Sequence, residues 1–597
     1  MRLKRIIAAV TAAVLVCALF ASCKSKQDKT ENTDKLPSGI ATRDDGSIDH
    51  DLTALELCKL MGNGINLGNT MEAYGHNSLS VDSEPLLFET MWGQPETTQL
   101  MIDGMKEAGF DSIRIPVAWT NAMDYDNDDF TIQPAYLDRV EEIVNYALNN
   151  DMYVIINDHW DGSWWGMFGS ASEETRDKAM KMYKSMWTQI CERFGKYSDK
   201  LIFESANEEL GDRLNDKDVA ADSGTLNVME CYDKTNEINQ TFVDLVRGTG
   251  GNNAERFLLI AGYNTDIERT CDDKFKMPTD TADHKLLLSV HYYTPWDYCG
   301  TEAVSQWGNK INLDEQNGLL EKLTKFTDEG YGVIIGEYSV ALKNGQTKKD
   351  TDKFIENFLD NCDIYNYVPM LWDCSSFYKR TEHKITDETI AKLFAERSLS
   401  AQSSMSDEEI VSAAKERMEE KYKAAEQEEA AQKAMLPDEN TAVAWIMYQS
   451  ANYQVSYSVG DEYNPFNITE GLKAQDVTVT GEGEYEVSLD MSELFAQGCA
   501  FSAVGITNGE QLFPDCIIDI REVCINDSPV ELKGDDYTCS DDGKCTRVNL
   551  FNEWARPDNS ARMADGTVST ASSMILDLDS NLPVKKISVK FRLVEKK

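Results

Sequence analysis

Residues 201–208 read Leu-Ile-Phe-Glu-Ser-Ala-Asn-Glu, a short apolar run that passes directly into a polar and acidic sequence. A strand whose two faces are both buried requires a nearly continuous apolar run of this kind. Similar runs recur along the chain, separated by longer amphipathic or polar segments. The other candidate strands are residues 64–67, 112–115, 153–156, 257–260, 286–290, 333–335 and 368–371.

The segments between these runs favour helices. Residues 97–108, 136–149 and 179–194 carry apolar side chains at helical spacing. Eight buried strands that alternate with helices over roughly 350 residues are typical of a (β/α)₈ barrel. A doubly wound open sheet would not need eight strands. We therefore predict an α/β fold in which residues 51–398 form a TIM barrel.

The sequence changes character after the predicted barrel. Residues 399–437 are predicted to be an acidic helical linker, since 406–434 are rich in alanine, glutamate and lysine and contain no glycine or proline. Residues 438–597 contain segments of alternating polarity, such as 586–591, and these predict a β-sandwich.

The predicted β-sandwich has two possible roles. It either binds carbohydrate or braces the barrel as a packing module, and the sequence leaves both open. The aromatic residues that could form a stacking platform are Trp445, Tyr448, Tyr453, Tyr457, Tyr463 and Trp554.

The overall charge excludes several partners. The 597 residues include 58 lysines and arginines against 103 aspartates and glutamates, which gives a net charge of −45. Such a surface repels phosphate backbones, so no nucleic acid partner is expected. It also argues against binding to anionic lipid by charge alone. Substrates are expected to be neutral or cationic, and the protein is expected to be a monomer.

The N-terminal residues predict export. Arg2, Lys4 and Arg5 precede an apolar run over 6–20 that is too short for a membrane span. The run ends in Ala-Ser-Cys at 21–23, which resembles a bacterial lipoprotein signal. Residues 1–22 would then be removed, Cys23 would carry a lipid anchor, and 23–50 would be a flexible tether. The protein is accordingly expected outside the cell or at its surface. An ordinary secretory signal is the alternative.

The fourteen cysteines are scattered along the chain. No pair or neighbouring histidine has the spacing of a zinc site, so no metal is predicted. Cys539 and Cys545 alone resemble a local disulfide, because they close a short polar loop. The cysteines therefore predict export without a dense disulfide framework.

Polar residues follow most of the predicted strands. In a barrel of this kind the reactive groups lie where strands end, at the C-terminal face. Glu208 and Glu337 should therefore converge on one mouth. Paired carboxylates across a cleft perform glycoside hydrolysis, one as proton donor and the other as nucleophile or base. The remaining polar and aromatic residues at strand ends include Arg114, His159, Asn207, His291, Tyr293 and Trp372.

The distribution of tryptophan supports a sugar-binding groove. Nine of the eleven tryptophans lie between Trp92 and Trp372, and aromatic rings suit the apolar faces of pyranose sugars. Core packing would explain about half of them. For Trp164 and Trp165, loop packing and sugar contact remain equal alternatives.

Six segments, in this order and on the strands predicted for them, resemble glycoside hydrolase family 5, the cellulase-like retaining (β/α)₈ glycosidases. The resemblance covers residues 51–398. The opening Asn-Leu-Gly-Asn-Thr at 66–70 is most similar to the endoglucanase and xyloglucanase subfamily. The segments are 62–72, 113–117, 154–159, 203–208, 291–293 and 335–338.

The resemblance implies the roles of the two carboxylates. Glu208 is similar to the family's general acid/base and Glu337 to its nucleophile. Arg114 and Tyr293 would donate hydrogen bonds to Glu337 and favour its charged form. A low pKa is therefore expected at Glu337 and a raised one at Glu208, helped by the charge of Glu337 across the cleft.

The resemblance also implies the substrate contacts. Asn207 would hold the sugar 2-hydroxyl, His159 and His291 would line the subsite beside the cut bond, and Trp372 would lie beneath that sugar. Glu209 departs from the family, which has proline there. Its carboxyl would either raise the pKa of Glu208 or point to solvent.

These observations together predict a retaining endo-β-1,4-glucanase that acts on cellulose, mixed-linkage β-glucan or xyloglucan. No cofactor is implied, because carboxylates supply both the proton and the nucleophile. A mannanase or xylanase on the same scaffold is the alternative enzyme. The alternative without catalysis is a glycan-binding surface lipoprotein.

Overall fold

The protein contains a closed barrel and a separate β-rich region. The computed structural model describes residues 39–75, 78–159, 162, 164–302, 304, 306–434, 437–450, 455–457, 473–493, 498–532, 538–541, 545–552, 576 and 583–595. The chain divides into two units, one with residues 1–300 and 314–418, the other with 301–313 and 419–597. The predicted signal peptide and the proposed anchor Cys23 lie outside the described residues.

Eight parallel strands form the barrel in sequence order, and β1 pairs with β8 to close it. The predicted TIM barrel is confirmed. Its strands are β1 Gly64–Asn66, β2 Ser112–Ile115, β3 Tyr153–Asn157, β4 Leu201–Glu204, β5 Leu258–Ala261, β6 Leu286–Tyr292, β7 Gly332–Tyr338 and β8 Tyr367–Leu371.

Helices alternate with these strands, and the three predicted from apolar spacing are present with shifted ends. Thr98 and Ser172 cap two of them by accepting backbone N–H groups, and Pro134 begins the third. The helices are α1 Ala54–Met61, α2 Pro85–Glu89, α3 Gln99–Glu107, α4 Pro134–Leu148, α5 Glu173–Phe194, α6 Val228–Gly248, α7 Ile267–Thr270, α8 Trp296–Cys299, α9 Lys310–Glu321, α10 Thr324–Thr327, α11 Thr351–Tyr365, α12 Glu388–Arg397 and α13 Leu399–Gln402.

The register between β6 and β7 shifts after Val290, and the shift pairs His291 with Glu337. All residues of both strands are buried. A bulge of this kind re-aims side chains at the rim of a barrel. Here it brings a histidine and a glutamate side by side at the C-terminal mouth.

The structure of residues 39–50 differs from the flexible tether that was predicted for residues 23–50. Residues 39–50 dock onto the barrel unit: Asp44 accepts from the backbone N–H of Ser198 at 2.9 Å, and Arg43 contacts Asn149. Thr42 and Asp44 are buried. The polar composition suggested a solvated chain, but the side chains of Arg43 and Asp44 pair with the backbone of Asn149 and Ser198 in the barrel unit.

A single long helix, α14 Asp407–Lys433, follows the barrel and agrees with the predicted linker helix. Two short strands, β9 Tyr378–Lys379 and β10 Lys384–Ile385, form a hairpin after β8. Within the described part of the chain, no helix combines the length and the apolar character needed to cross a bilayer.

The C-terminal unit contains two antiparallel sheets around one apolar core, as predicted for a β-sandwich. One sheet has the order β12-β11-β16-β20-β19, with β14 also pairing β11, and the other has the order β13-β15-β21-β17-β18. The short helix α15 Gly509–Leu512 also lies in this unit. The strands are β11 Ala442–Ser450, β12 Val455–Tyr457, β13 Lys473–Gln475, β14 Val477–Val479, β15 Gly483–Asp490, β16 Cys499–Thr507, β17 Cys516–Ile525, β18 Ser528–Val530, β19 Thr538–Asp541, β20 Cys545–Asn552 and β21 Lys586–Glu595.

Two of the aromatic residues considered for sugar stacking are buried in strand β11. Trp445 and Tyr448 are each 1% exposed, so they pack and do not form a surface platform. They lie on opposite faces of the strand: Tyr448 belongs to the apolar core, and the Trp445 ring lies against Gly505. The side chains of the other four aromatics, and of Cys539 and Cys545, lie outside the described residues.

Candidate active site

The C-terminal mouth of the barrel brings the predicted site residues together. Each of them stands in a barrel strand or within four residues after one. Their placements are Arg114 in β2, His159 after β3, Asn207 and Glu208 after β4, His291 in β6, Tyr293 after β6, Glu337 in β7 and Trp372 after β8.

Glu208 and Glu337 face each other across this mouth with His291 between them. His291 Nδ1 lies 2.9 Å from Glu208 Oε1 and 3.7 Å from Glu337 Oε2. One oxygen of each carboxylate and a ring nitrogen of the histidine all lie within 4.8 Å of one another. Retaining glycosidases place their carboxyl groups about 5–5.5 Å apart, whereas inverting enzymes leave about 6.5–9.5 Å for a water. The close approach of one oxygen from each carboxylate agrees with the shorter, retaining separation.

Glu337 is buried and receives two hydrogen bonds. Arg114 Nη1 donates to its Oε1 at 3.1 Å, and the Tyr293 hydroxyl donates to its Oε2 at 2.9 Å. Burial raises the pKa of Tyr293 well above the ordinary value, which keeps the hydroxyl proton available for donation. Both donors fix the orientation of the Glu337 carboxyl.

Arg114 organises the floor of the site. It is fully buried, and its Nε donates to Glu204 Oε2 at 2.7 Å. Its Nη1 also donates to Asn66 Oδ1 at 3.0 Å, and its Nη2 donates to Asn207 Oδ1 at 2.8 Å. Buried ion pairs hold well only when further hydrogen bonds satisfy the remaining donors, as they do here. Glu204 was missed as a functional residue, although an acid at the end of an apolar strand was a usable signal.

The pKa directions of the carboxylate pair differ from the expected ones. Burial raises the pKa of Glu337, although His291 and Arg114 act in the opposite direction. Burial alone would also raise the pKa of Glu208, but the hydrogen bond and charge of His291, together with Arg213, lower it. The expectation of a low value at Glu337 and a high one at Glu208 is therefore wrong. The sequence did not reveal that His291 contacts Glu208.

Asn207, His159 and Trp372 lie beside the pair. The Asn207 oxygen faces Arg114, so its amide N–H₂ is turned away from the guanidinium. The His159 ring stacks on Trp372, with centroids 5.8 Å apart and planes inclined by 11°. Burial lowers the pKa of His159 well below its ordinary value, so this ring is neutral. Trp372 keeps part of its surface exposed.

Glu209 follows neither of the two expectations for it. Its side chain is 1% exposed, and its Oε2 accepts the backbone N–H of Asn207 at 3.0 Å. It therefore stabilises the loop that carries Asn207 and Glu208, and does not point to solvent. Burial, His291, Arg213 and Arg114 dominate the pKa of Glu208.

Trp164 and Trp165 are packing residues. They are 0% and 1% exposed, and their rings stack with centroids 4.4 Å apart. Trp165 also packs edge-on against Tyr183 of α5. These contacts decide between the two alternatives that the sequence left open, because a buried ring presents no face to a sugar.

An open cleft of about 630 Å³ begins at Glu208 and His291. The rest of its lining comes from residues 264–268, residues 292–294, and residues 314, 315, 318, 319 and 322. Arg213, on a turn after β4, also approaches the site and lies 3.8 Å from Glu208 Oε2 through its Nη2. Neither the cleft nor Arg213 was predicted, since both depend on how loops after different strands meet.

Glu208, His291 and Glu337 form the one cluster of potential metal ligands within the described ranges. Glu337 already accepts hydrogen bonds from Arg114 and Tyr293, and His291 contacts Glu208. A guanidinium in contact with one of the ligand oxygens opposes the binding of a second cation there. The donor set favours proton transfer and covalent chemistry.

Comparisons with known proteins point to one family of barrel enzymes. The family model described as Cellulase (glycosyl hydrolase family 5) matches residues 74–377. The chain is 36% identical over 346 residues to a xyloglucan-specific endo-β-1,4-glucanase of Bacteroides ovatus, a match that covers 54% of this chain and 65% of that protein. It is 33% identical over 369 residues to endoglucanase A of Paenibacillus barcinonensis, covering 56% of this chain and 86% of that protein.

Solved structures show the same similarity. A GH5-4 broad specificity endoglucanase from Ruminococcus champanellensis with bound cellotriose matches with a TM-score of 0.51 and 30% identity, covering 58% of this chain and 99% of that one. A Bacteroides ovatus GH5 xyloglucanase in complex with a XXXG heptasaccharide matches with a TM-score of 0.51 and 31% identity, covering 61% and 80%. These similarities rest on the barrel.

Proposed function

Because the chain belongs to glycosyl hydrolase family 5, we propose that it is a retaining endo-β-1,4-glucanase acting on cellulose, mixed-linkage β-glucan or xyloglucan. The predicted enzyme class, a glycoside hydrolase, is confirmed. The observation that carries the mechanism is the carboxylate pair, in which one oxygen of Glu208 and one of Glu337 lie within 4.8 Å of each other at the mouth of the barrel. Such a close approach favours attack by a carboxylate over direct attack by a water.

In the first step Glu337 would attack the anomeric carbon of the bound sugar. The bond to the leaving oxygen breaks as a covalent glycosyl-enzyme forms, and Glu208 gives its proton to that oxygen. The side chain of Glu208 is 33% exposed at the mouth of the barrel. A bound glucan would displace the water around it, and desolvation raises the pKa of a carboxyl. Substrate binding would thus favour the protonated form that this step needs.

In the second step a water would attack the same carbon and release the sugar from Glu337. Glu208, now ionised, would take the proton from the water. The open cleft begins at Glu208, so the leaving part of the glucan would occupy it, and water would enter from the same side once that part departs. Two inversions at one carbon give net retention of configuration.

The surrounding residues would bind and orient the sugar. Asn207, fixed by Arg114 at 2.8 Å, would donate its amide N–H to the 2-hydroxyl, a contact that strengthens in the transition state. Trp372, stacked on the His159 ring, would lie beneath the sugar whose anomeric carbon Glu337 attacks. Because the β1–β8 side of the mouth bears this platform, the non-reducing part of the glucan would lie there.

The similar proteins support one class of glucan as the substrate. The names and titles of the similar proteins mention endoglucanase, xyloglucan and cellotriose, and these support a β-1,4-glucan backbone as the substrate. A panel of carboxymethylcellulose, mixed-linkage β-glucan, xyloglucan, mannan and xylan tests it, with Glu337→Gln as the inactive control. Turnover confined to mannan or xylan would favour the alternative enzyme. Undetectable turnover on every β-glucan would contradict the proposal.

We also propose that the protein is exported and held at a bacterial membrane by a lipid on Cys23. The support is the basic residues Arg2, Lys4 and Arg5, the apolar run 6–20 and the Ala-Ser-Cys junction. Cys23→Ala should release the protein from the membrane fraction or block its maturation. Wild-type protein found entirely in the medium, without a lipid-modified N-terminus, would contradict the anchor.

A further inference from the structure

Arg213 reaches Glu208 from the open side of the active site. Its Nη2 lies 3.8 Å from Glu208 Oε2, and its side chain is 41% exposed. The other groups that favour a charged Glu208, His291 and Arg114, lie on the barrel side and are buried. Arg213 is therefore the cation that acts on Glu208 from the direction in which water and the leaving group move.

Asp212, the residue before Arg213, holds the turn that carries Arg213 in place. Residues Asp212–Asn215 form a single 3₁₀ turn. Asp212 accepts hydrogen bonds from the Tyr263 hydroxyl at 2.8 Å and from Asn264 Nδ2 at 3.0 Å, and it pairs with Arg269. Its backbone N–H donates to Asn264 Oδ1 at 2.8 Å. These contacts tie the turn after β4 to the loop after β5.

Gly211 allows the turn to approach this closely. Its φ is +139°, and a Cβ at this position would lie 2.1 Å from Asn264 Oδ1. Only glycine tolerates both the backbone angle and the contact. The contacts of Gly211 and Asp212 with Tyr263 and Asn264 thus fix the backbone from which Arg213 reaches Glu208.

We propose that Arg213 is a positioning residue for the second half-reaction, in which its charge stabilises the Glu208 carboxylate that accepts a proton from the attacking water. This inference rests on the proposed function. In that step the water oxygen forms a bond to the anomeric carbon, and the bond from that carbon to Glu337 breaks with its electrons returning to Glu337. The water proton passes to Glu208. Arg213 touches none of the reacting atoms and acts through Glu208.

The charge has a measurable consequence for the pH dependence. Glu208 must be ionised during deglycosylation, so this step loses rate as the pH falls through the pKa of Glu208. The contact with Arg213 lowers that pKa, after the larger effect of His291. Removing the charge should move the acidic limb of deglycosylation to higher pH. At 3.8 Å and with partial exposure, the expected shift is about half a pH unit.

The test uses 2,4-dinitrophenyl β-cellobioside, whose leaving group needs no proton, so that deglycosylation limits turnover. Arg213→Gln should shift the acidic limb of kcat to higher pH. On the acidic side of the limb, the kcat of this variant should be about threefold lower than that of the wild type. The initial burst of dinitrophenolate, which reports glycosylation, should keep its rate. Arg213→Lys retains the charge and should restore most of the wild-type profile. Arg592→Gln removes an equal charge from the C-terminal unit and is the matched control.

The outcomes separate this inference from the proposed function. If Arg213→Gln keeps the wild-type acidic limb, or slows the burst and the steady state equally, the inference is overturned while the hydrolase assignment stands. A shift of the same size in Arg592→Gln would also overturn it. If the wild-type enzyme shows no burst and no turnover on this substrate, the proposed function fails and the inference fails with it.

Discussion

His291 stands opposite Glu337 in the ladder between β6 and β7, because the register of the two strands shifts after Val290. The same ring lies 2.9 Å from Glu208 Oε1 and 3.7 Å from Glu337 Oε2. One histidine thereby contacts both carboxyl groups of the proposed catalytic pair. In the free enzyme the two carboxyl groups should therefore titrate as a pair, and the pH profile of kcat/KM should report values that belong to both.

Replacing His291 should change this titration more than replacing Arg213. His291 contributes more than Arg213 to lowering the pKa of Glu208, and it lies closer. His291→Phe should move the acidic limb of kcat on dinitrophenyl cellobioside upward by about one pH unit. The pH profiles of both variants check the order, and a larger shift in Arg213→Gln would contradict it.

Glu208→Gln should lose activity according to the leaving group. On a polysaccharide, where the departing oxygen needs a proton, turnover should fall by about 10²- to 10⁴-fold. On dinitrophenyl cellobioside, glycosylation should survive and deglycosylation should be slow. Added azide should restore this second step by attacking without a base, and the β-glycosyl azide can be identified by mass spectrometry. Equal losses on both substrates would argue against an acid/base role.

The Arg114→Met variant should unfold at a lower denaturant concentration than the wild type. The substitution leaves Glu204 buried without its cation, and removal of one partner from a buried pair costs about 3–5 kcal/mol. The double variant Arg114→Met with Glu204→Gln should recover part of the loss, since it removes the unpaired charge. Urea unfolding of the three proteins measures both effects. An unchanged stability in the single variant would contradict the structural role of this pair.

Much of this arrangement was accessible from the sequence. Near-continuous apolar runs gave the eight strands, and the rule that strand ends meet at one mouth brought Glu208 and Glu337 together. Contacts between distant loops left no local pattern. The docking of Asp44 on Ser198 depends on such contacts, and so does the approach of Arg213, whose turn is tied to Asn264. Glu209 turns inward to accept the backbone N–H of Asn207, a contact within its own loop that the polar sequence did not reveal.

The pKa directions were missed for the same reason. Arg114 and Tyr293 were foreseen as partners of Glu337, but the extent of its burial was not. Nor did the sequence reveal the register shift that aims His291 at Glu208. Desolvation of Glu337 and the hydrogen bond from His291 to Glu208 were enough to reverse both directions.

A buried carboxyl outside the pair should make stability depend on pH. Glu72 is 2% exposed and accepts the backbone N–H groups of Asn69 and Thr70. Burial raises its pKa from 4.5 to about 7, although these hydrogen bonds and Arg380 oppose the shift. The folded state thus retains a proton that the unfolded chain releases. This contribution is fully present below pH ~4.5 and is lost as the pH rises through about 7.

Glu72→Gln removes this titration. Between pH 5 and pH 8 the wild-type free energy of unfolding should fall by up to about 3 kcal/mol relative to that of the variant. Chemical denaturation of both proteins at the two pH values measures the difference. A difference between the two proteins that does not change with pH would show that Glu72 does not titrate in this range.

In the proposed mechanism Glu337 forms a covalent bond to the sugar, and Glu208 first donates and then accepts a proton. A 2-deoxy-2-fluoro-β-cellobioside with a dinitrophenyl leaving group forms the glycosyl-enzyme and then hydrolyses slowly, so the adduct can be digested and located by mass spectrometry. The account predicts one glycosyl group on the peptide that contains Glu337 and none on the peptide that contains Glu208. An adduct on any other carboxylate, or turnover of the corresponding unfluorinated substrate with inversion at the anomeric carbon, would contradict it.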